Sequence, residues 1–260
     1  MFQKTEQEIT NAWIEGDVPA VSICCITYNH KDYISQAIDS FLMQETVFPF
    51  EILIHDDASN DGTIDIIKGY KKKYPNIIKT VIQTENQYSK DVRFFNAKFL
   101  FPIAKGRYIA LCEGDDYWTS NKKLSKQLKF MDENLDYSSC FHAVEQKDDT
   151  ENKSLSLTRL PIKGNTFYFE DVLKNYFIPT LSLFFRKGLM PINIPSYDKK
   201  MFGDIFMQLI LTSNGPIYYF NEVMGVYQHH DVGVSKSLDY LAGIENARTV
   251  FYEIIELKEG

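Results

Sequence analysis

The stretch Gly106–Trp118, GRYIALCEGDDYW, joins two kinds of sequence with no spacer between them. Arg107 to Cys112 is a short apolar run with the composition of a buried strand. Glu113-Gly114-Asp115-Asp116-Tyr117-Trp118 is a cluster of acids, one permissive glycine and two aromatics. A buried strand that ends in carboxylates delivers those charges to one rim of a sheet. Phe50 to Ile54 (FEILI) does the same, stopping at His55-Asp56-Asp57-Ala58-Ser59-Asn60-Asp61-Gly62-Thr63. Val21 to Thr27 (VSICCIT) is another apolar strand, ahead of Tyr28-Asn29-His30, and Ile77 to Gln83 is a further one. Helices fill the intervals. Asp32 to Gln44 spaces Ile34, Ala37, Ile38, Phe41 and Leu42 along one helical face, and a second helix runs from about Thr63 to Tyr74 with Pro75 past its end. A third covers Val92 to Ala104, bent or ended by Pro102, and a fourth covers Lys122 to Asn134 with Leu124, Leu128 and Met131 inward. Strands apolar on both faces, alternating with helices, specify the α/β class with a mainly parallel central sheet flanked by helices.

Beyond about residue 140 the pattern is less regular. Ser138 to Val144 reads as a strand, Gln146 to Ser156 as a polar loop, Phe169 to Phe177 as a short helix and Leu181 to Arg186 as a strand. Asp204 to Leu211 is helical, Ile217 to Gln228 forms one or two strands, and Leu238 to Leu257 is an amphipathic helix. No linker composition separates the halves, so one domain over 1–260 is expected: about 19–140, about 141–235, and a C-terminal helix at 236–260.

A chain of 260 residues, 44% hydrophobic and 24% charged, can bury a sizeable core and is neither disordered, collagen-like nor a disulfide mini-protein. Its net charge of −7 argues against a nucleic-acid partner. Cys24, Cys25, Cys112 and Cys140 form no C-x-x-C pair and sit in apolar strands, so buried free thiols are expected and no zinc site. No apolar stretch approaches the roughly 20 residues of a membrane span, and Met1 to Asp17 lacks a signal-peptide pattern. A cytoplasmic protein is expected. The acidic end of the C-terminal helix (Glu253, Glu256, Glu259) argues mildly against anionic lipid, with peripheral membrane contact left open.

In an open parallel sheet, ligands bind beyond the carboxyl ends of the strands. Asp56 and Asp57, and Glu113, Asp115 and Asp116, all fall there. Crowded carboxylates repel, and a divalent cation with a phosphate-bearing ligand is the natural compensation. The plainer alternatives are that Asp56 and Asp57 cap the following helix, with Asn60 and Asp61 forming the turn, and that Glu113–Trp118 is a structural turn. Trp118 is read as a core anchor more readily than as a wall beside a ligand. Lys122 and Lys123 are read as a solvated helix start, and His55 and His142 as packing or polar-surface residues.

Three ordered segments carry a resemblance. Val21-Ser22-Ile23 through Thr27-Tyr28-Asn29-His30 resembles the opening "VSIIIPTYN" strand of family 2 glycosyltransferases. Ile54–Thr63 is similar to their "IVDDGSTDGT", and Gly106–Trp118 to "GEYIAFLDADDIW", which holds the metal-binding DxD motif. The resemblance spans about residues 19 to 235 and implies the GT-A nucleotide-sugar fold, with 19–140 as the nucleotide-sugar half and 141–235 as the acceptor and base half. It implies a donor site from Thr27, Tyr28, Asn29, Asp56, Asp57, Glu113 and Asp116. Asp57 matches the acid that contacts uracil, and Glu113 stands where the family usually has the first Asp, near the ribose. Asp115 matches the acid that binds Mn2+ or Mg2+ on the diphosphate. Gly203-Asp204-Ile205-Phe206 resembles the catalytic "ED" or "GD" segment, making Asp204 the candidate general base of an inverting transfer. A carboxylate merely facing a helix dipole is the alternative there.

Tyr227–Ser235 is similar to the family's "YRxHxxxxS", so His230 matches a histidine near the metal, while Gln228 replaces the usual Arg. His30 is placed near the nucleotide. The implied function is transfer of a sugar from a nucleotide-diphospho sugar, with UDP favoured, to a hydroxyl of a glycan or lipid-linked glycan in bacterial surface polysaccharide synthesis. A non-catalytic nucleotide-sugar or glycan-binding module on the same fold is the alternative. A dinucleotide-dependent oxidoreductase is disfavoured because Thr27-Tyr28-Asn29-His30 stands where G-x-G-x-x-G would be, and a nucleotidyltransferase because no Gly-rich basic loop opens the chain.

Overall fold

The computed structural model describes residues 4–14, 16–148, 153–157, 160, 163–175, 177–190 and 203–229. In chain order the regular elements begin with helix α1 (Glu6–Thr10), strand β1 (Val21–Thr27), α2 (Ile34–Leu42), β2 (Phe50–Asp56), α3 (Thr63–Lys73), β3 (Ile78–Ile82), β4 (Tyr108–Leu111) and β5 (Tyr117–Trp118). There follow α4 (Lys123–Glu133), β6 (Ser139–Asp148), β7 (Lys153–Leu157), β8 (Thr166–Phe167), α5 (Phe169–Lys174), β9 (Phe184–Arg186), α6 (Gly203–Thr212) and β10 (Ile217–His229). The main sheet runs β3-β2-β1-β4-β9-β6-β10-β5, with β7 added on β6 and β8 on β10.

β1 lies at the centre of the first half because it pairs in parallel with both β2 and β4. Its side chains alternate between faces, as a strand's must. Ile23 and Cys25 join Ile52, Ile54 and the apolar sides of α2 and α4 in one core, whereas Cys24 joins Leu53, Leu111, Leu209 and Leu211 in the other. All four thiols are free and buried, as their apolar context predicts.

The sheet is mixed rather than mainly parallel in its second half. β9 runs antiparallel between β4 and β6, and β10 pairs in parallel with β6 over its whole length, with register shifts near Phe220 and Val223. Ile217–Gln228 is therefore one long bent strand. The expected loop at 146–156 is a correction: β6 runs on to Asp148, and β7 pairs with it antiparallel. The helix expected over Val92–Ala104 also shrinks, to one π-helical turn at Asn96–Leu100. The reason is upstream, where Asp91 and Phe94 adopt left-handed backbone (φ 63° and 56°), which no helix can contain. Among the described residues no helix is long and apolar enough to cross a membrane. The C-terminal helix expected at 236–260 lies outside the described residues.

At the end of the sheet opposite the acid clusters, Glu51 pins three segments. Its Oε1 accepts from Ser22 Oγ (2.7 Å) and from the Lys105 amide (2.6 Å), and its Oε2 pairs with Lys79 Nζ at 2.5 Å. Removing a buried partner strands the other groups in low dielectric, which costs about 3 kcal/mol. Glu51→Ala is expected to lower the free energy of urea unfolding by that amount.

Candidate active site

The C-terminal ends of β1, β2 and β4 form one rim, and a glycine sets its geometry. Gly114 donates its amide to Ile26 O at 2.9 Å, so the turn after β4 lies directly on the end of β1. A Cβ at Gly114 would stand 2.7 Å from both Cβ and Oγ1 of Thr27, which no side chain tolerates. The glycine between the acids is therefore what lets Glu113 and Asp115 flank Thr27.

The β1 and β2 loops are clipped together. Asn29, in left-handed backbone at φ 54°, donates its amide to Ser59 Oγ (2.8 Å), and its Oδ1 accepts from the Asn60 amide (3.0 Å). Tyr28, between them and the strand, is 42% exposed. Asp57 accepts two amides of the next loop, Gln87 on Oδ1 (2.7 Å) and Tyr88 on Oδ2 (3.0 Å). It thus shapes the segment after β3 as well as the rim. Gly62 is the N-cap of α3, and Asp61 just before it accepts the amide and hydroxyl of Thr63 on Oδ1. Burial acts against ionisation there, but those bonds and the Lys31 amide lower its pKa on balance.

Four of the residues expected at the nucleotide, Thr27, Asp56, Asp57 and Asp116, are buried. Asp56 is 0% exposed and is engaged by the Ser59 amide (2.9 Å) and hydroxyl (2.6 Å). Burial raises its pKa. Asp116 is 2% exposed and its Oδ1 accepts the Gln228 amide at 2.9 Å. Burial, with Asp115 and Glu113 beside it, drives its pKa far up. As placed, Asp56 and Asp116 build the walls of the site.

The remaining acids form the site itself. Glu113 has a pKa pushed up to about 8 by burial, by the Asp115 charge and, to a lesser degree, by Asp204. Its Oε2 is shut off from solvent with no hydrogen-bond partner among the described residues. Asp115 lies with its Oδ2 3.5 Å from His30 Nε2, both side chains partly exposed. Asp204 is in the first turn of α6, half-buried, with Oδ1 accepting the Ile205 amide at 2.9 Å. The structure therefore brings Asp204, 91 positions after Glu113, into electrostatic contact with it. His30, read as lying near the nucleotide, stands beside Asp115. His230 lies outside the described residues.

Gln228 was read only as a lost arginine, yet it ties β10 to the acids twice. Besides its amide bond to Asp116, its Nε2 donates to the Asp115 carbonyl. No local spacing announces such a bond across 113 positions. A hard divalent cation fits these donors, because the oxygens are carboxylate, crowded, and in the case of Glu113 Oε2 unpaired. Among the described residues no three His, Cys, Asp or Glu side chains form a ready cage. Mg2+ in particular is commonly held by one or two carboxylates with the substrate's phosphates completing its shell.

Comparison with known proteins agrees with the geometry. The sequence profile of "Glycosyl transferase family 2" matches residues 22–192. The chain belongs to that family. An uncharacterized protein of Mycobacterium tuberculosis is 35% identical over 223 residues, 82% of this chain and 60% of its own, so the chain spans about 60% of that relative's length. The "Putative teichuronic acid biosynthesis glycosyltransferase TuaG" of Bacillus subtilis is 30% identical over 213 residues, 81% of this chain and 79% of its own. The fold of this chain is GT-A: residues 1–349 of Staphylococcus aureus TarS, solved with UDP-GlcNAc, superpose with TM-score 0.64 at 18% identity, over 84% of this chain and 60% of that one. The Pyrobaculum calidifontis mannosyltransferase PcManGT, solved with GDP-Man and Mn2+, gives 0.57 at 16% identity, over 89% and 66% of the two chains.

Behind the rim lies a cation that was expected to be solvated. Lys123 is 0% exposed, its Nζ 4.0 Å above the Trp118 ring and 2.7 Å from Gln127 Oε1. Trp118 is the core anchor, stacked edge-on to Phe41 and donating Nε1 to Leu181 O (2.9 Å), not a wall of the site. His55 and His142 are packing residues, both fully buried, and burial lowers their pKa values. Burial lowers the Lys123 pKa to about 7. The unfolded chain then binds more protons than the folded one between about pH 7 and 10, so this residue makes stability rise with pH across that window. Lys123→Met is expected to abolish that rise, read as urea midpoints at pH 7 and 9.5; an unchanged slope would place its origin elsewhere.

Proposed function

We propose that this chain transfers a sugar from a nucleotide-diphospho sugar, a UDP-sugar, to a hydroxyl of a glycan acceptor with inversion at the anomeric carbon. The observation that carries this reading is that Asp204, from a helix in the other half of the chain, lies near enough to Glu113, at the end of β4, for its charge to raise the Glu113 pKa. A nucleotide-binding module needs only the acids that end β4. A transferase also needs a base on the acceptor side.

In this scheme Thr27, Tyr28, Asn29 and Asp57 receive the nucleoside, and Glu113 the ribose. Asp56 and Asp116 hold the walls. Asp115, with His230, holds Mn2+ or Mg2+ on the diphosphate. When bound, the cation offsets charge that grows on the leaving phosphate. Asp204 accepts the proton of the attacking hydroxyl as the C–O bond to the diphosphate breaks on the opposite face. Asp204 acts as the anion, and its helix-start position favours that form. The two halves, on this view, make one catalytic domain.

For the acceptor we propose a growing or lipid-linked surface glycan at the cytoplasmic face of a bacterial membrane. Support comes from TuaG and from an Escherichia coli relative named as a UDP-Glc:alpha-D-GlcNAc-diphosphoundecaprenol beta-1,3-glucosyltransferase, 41% identical over 112 residues, 43% of this chain and 41% of its own.

Thermal melting with UDP, GDP, CMP and dTDP, each with and without Mn2+, tests the donor assignment. A Mn2+-dependent rise with UDP is expected, since a ligand of the folded state alone stabilises it. No rise with any nucleotide would sink the reading. Asp204→Asn is expected to lower transfer about 1,000-fold, within the range for removing a general base, while leaving the UDP shift intact. Asp115→Asn is expected to remove the Mn2+ dependence of that shift.

A further inference from the structure

The segment between β3 and β4 holds the most strained backbone near the site. Phe94 sits at φ 56°, a conformation that bulky residues adopt only when their surroundings over-determine it. What surrounds it is specific at both ends. Toward the donor side, the segment hangs on Asp57: the amides of Gln87 and Tyr88 donate to its carboxylate, and Asn86 Nδ2 donates to its carbonyl at 3.2 Å. Arg93 braces the middle, stacking 4.0 Å over the Tyr88 ring and donating Nη1 to the carbonyls of Tyr88 (3.0 Å) and Val92 (2.9 Å).

Toward the acceptor side, the Phe94 ring meets the start of α6. It lies edge-on to Phe206 with centroids 5.4 Å apart. A Cβ at Gly203 would stand 3.1 Å and 3.3 Å from two of its ring carbons. Gly203 immediately precedes Asp204, and Phe206 follows it by two. The Phe94 ring is thus packed against residues on both sides of the proposed base. The glycine is what permits this approach, because any other residue there would press on the ring.

We infer that Phe94 is a positioning residue for Asp204: its ring, fixed by a strained segment anchored on Asp57, sets where the first turn of α6 begins. The nucleoside-side acid and the base are then placed by one continuous stretch of chain. This rests on Asp204 being the base, and adds that the donor half of the site determines the base's position.

The test is steric complementation, read as steady-state transfer from a UDP-sugar that the wild-type chain uses. Gly203→Ala adds a methyl against the ring, and Phe94→Ala removes the ring with its Cγ and Cδ atoms. Each is expected to lower kcat about 10-fold, since sub-ångström misplacement of a reacting group is costly, with the donor KM and the Mn2+-dependent UDP melting shift within about twofold of wild type. In the double variant the methyl occupies the space the ring leaves, so kcat is expected to fall about 10-fold rather than the roughly 100-fold of independent sites. Phe94→Gly, which relaxes the backbone but removes the ring, is expected to match Phe94→Ala.

Additive losses in the double variant overturn the inference, as do unchanged kcat in Gly203→Ala, wild-type rates in Phe94→Gly, or losses that track the melting temperature. The outcomes also separate the two claims. If Asp204→Asn loses transfer while Gly203→Ala does not, the base stands and the positioning role falls. If Asp204→Asn retains transfer, the base assignment falls, and the inference with it.

Discussion

Like charges gathered at a poorly solvated rim repel, and the structure around this site is organised by that repulsion. Glu113, Asp115 and Asp116 follow one another within four positions, and Asp204 is added from outside. Left in water they would all ionise and spread apart. Held in place, they divide into two classes. Asp116 is turned inward, its Oδ1 taken by the Gln228 amide, and its ionisation is suppressed by burial and its neighbours. Glu113 keeps an oxygen that no donor among the described residues satisfies, and it resists ionisation for the same reasons. Asp115, partly exposed and with His30 at 3.5 Å, is left as the carboxylate able to meet an external cation. A site whose own electrostatics are unfavourable is one that a cation improves.

Holding carboxylates against their repulsion requires a stiff frame, and the two ends of the parallel sheet share that task. At one end Glu51 gathers β1, β3 and the turn into β4 through buried hydrogen bonds. At the other, Gly114 lets the acid turn lie on Thr27, and Gln228 reaches from β10 to clasp Asp115 and Asp116. Trp118 and Lys123 fill the space behind, so the turn bearing the acids is supported from below by packed side chains rather than by water.

The legible part of the chain is the part built from near neighbours. β1 and the strands ending in Asp56 and Leu111 are apolar on both faces because helices cover both faces, and that is written in consecutive residues. The acids were legible for the same reason: each cluster ends a strand. What sequence did not disclose depends on partners far along the chain. β10 is one strand because its mate β6 lies some 80 positions earlier, and β7 forms because β6 offers an edge beyond the end of its apolar run. Lys123 looks like any helix-start lysine until Trp118 and Gln127 are seen around its ammonium group. The helix expected at Val92 was undone by left-handed backbone at Asp91 and Phe94, residues whose local propensity gives no warning of it.

That last discrepancy locates where local and global demands part. Asp57 sits at the end of β2 with both oxygens committed to the amides of Gln87 and Tyr88, so the chain after β3 must turn toward it before turning back to β4. The detour costs two residues in left-handed backbone and most of a helix. Its return is contact between the nucleoside-side rim and the first turn of α6, through Phe94, Gly203 and Phe206. Without that contact the sheet would still form, since β1, β2 and β4 pair independently of it. The strain is therefore spent on relating two parts of the site rather than on the fold, consistent with the tendency of such strain to collect where chemistry is done.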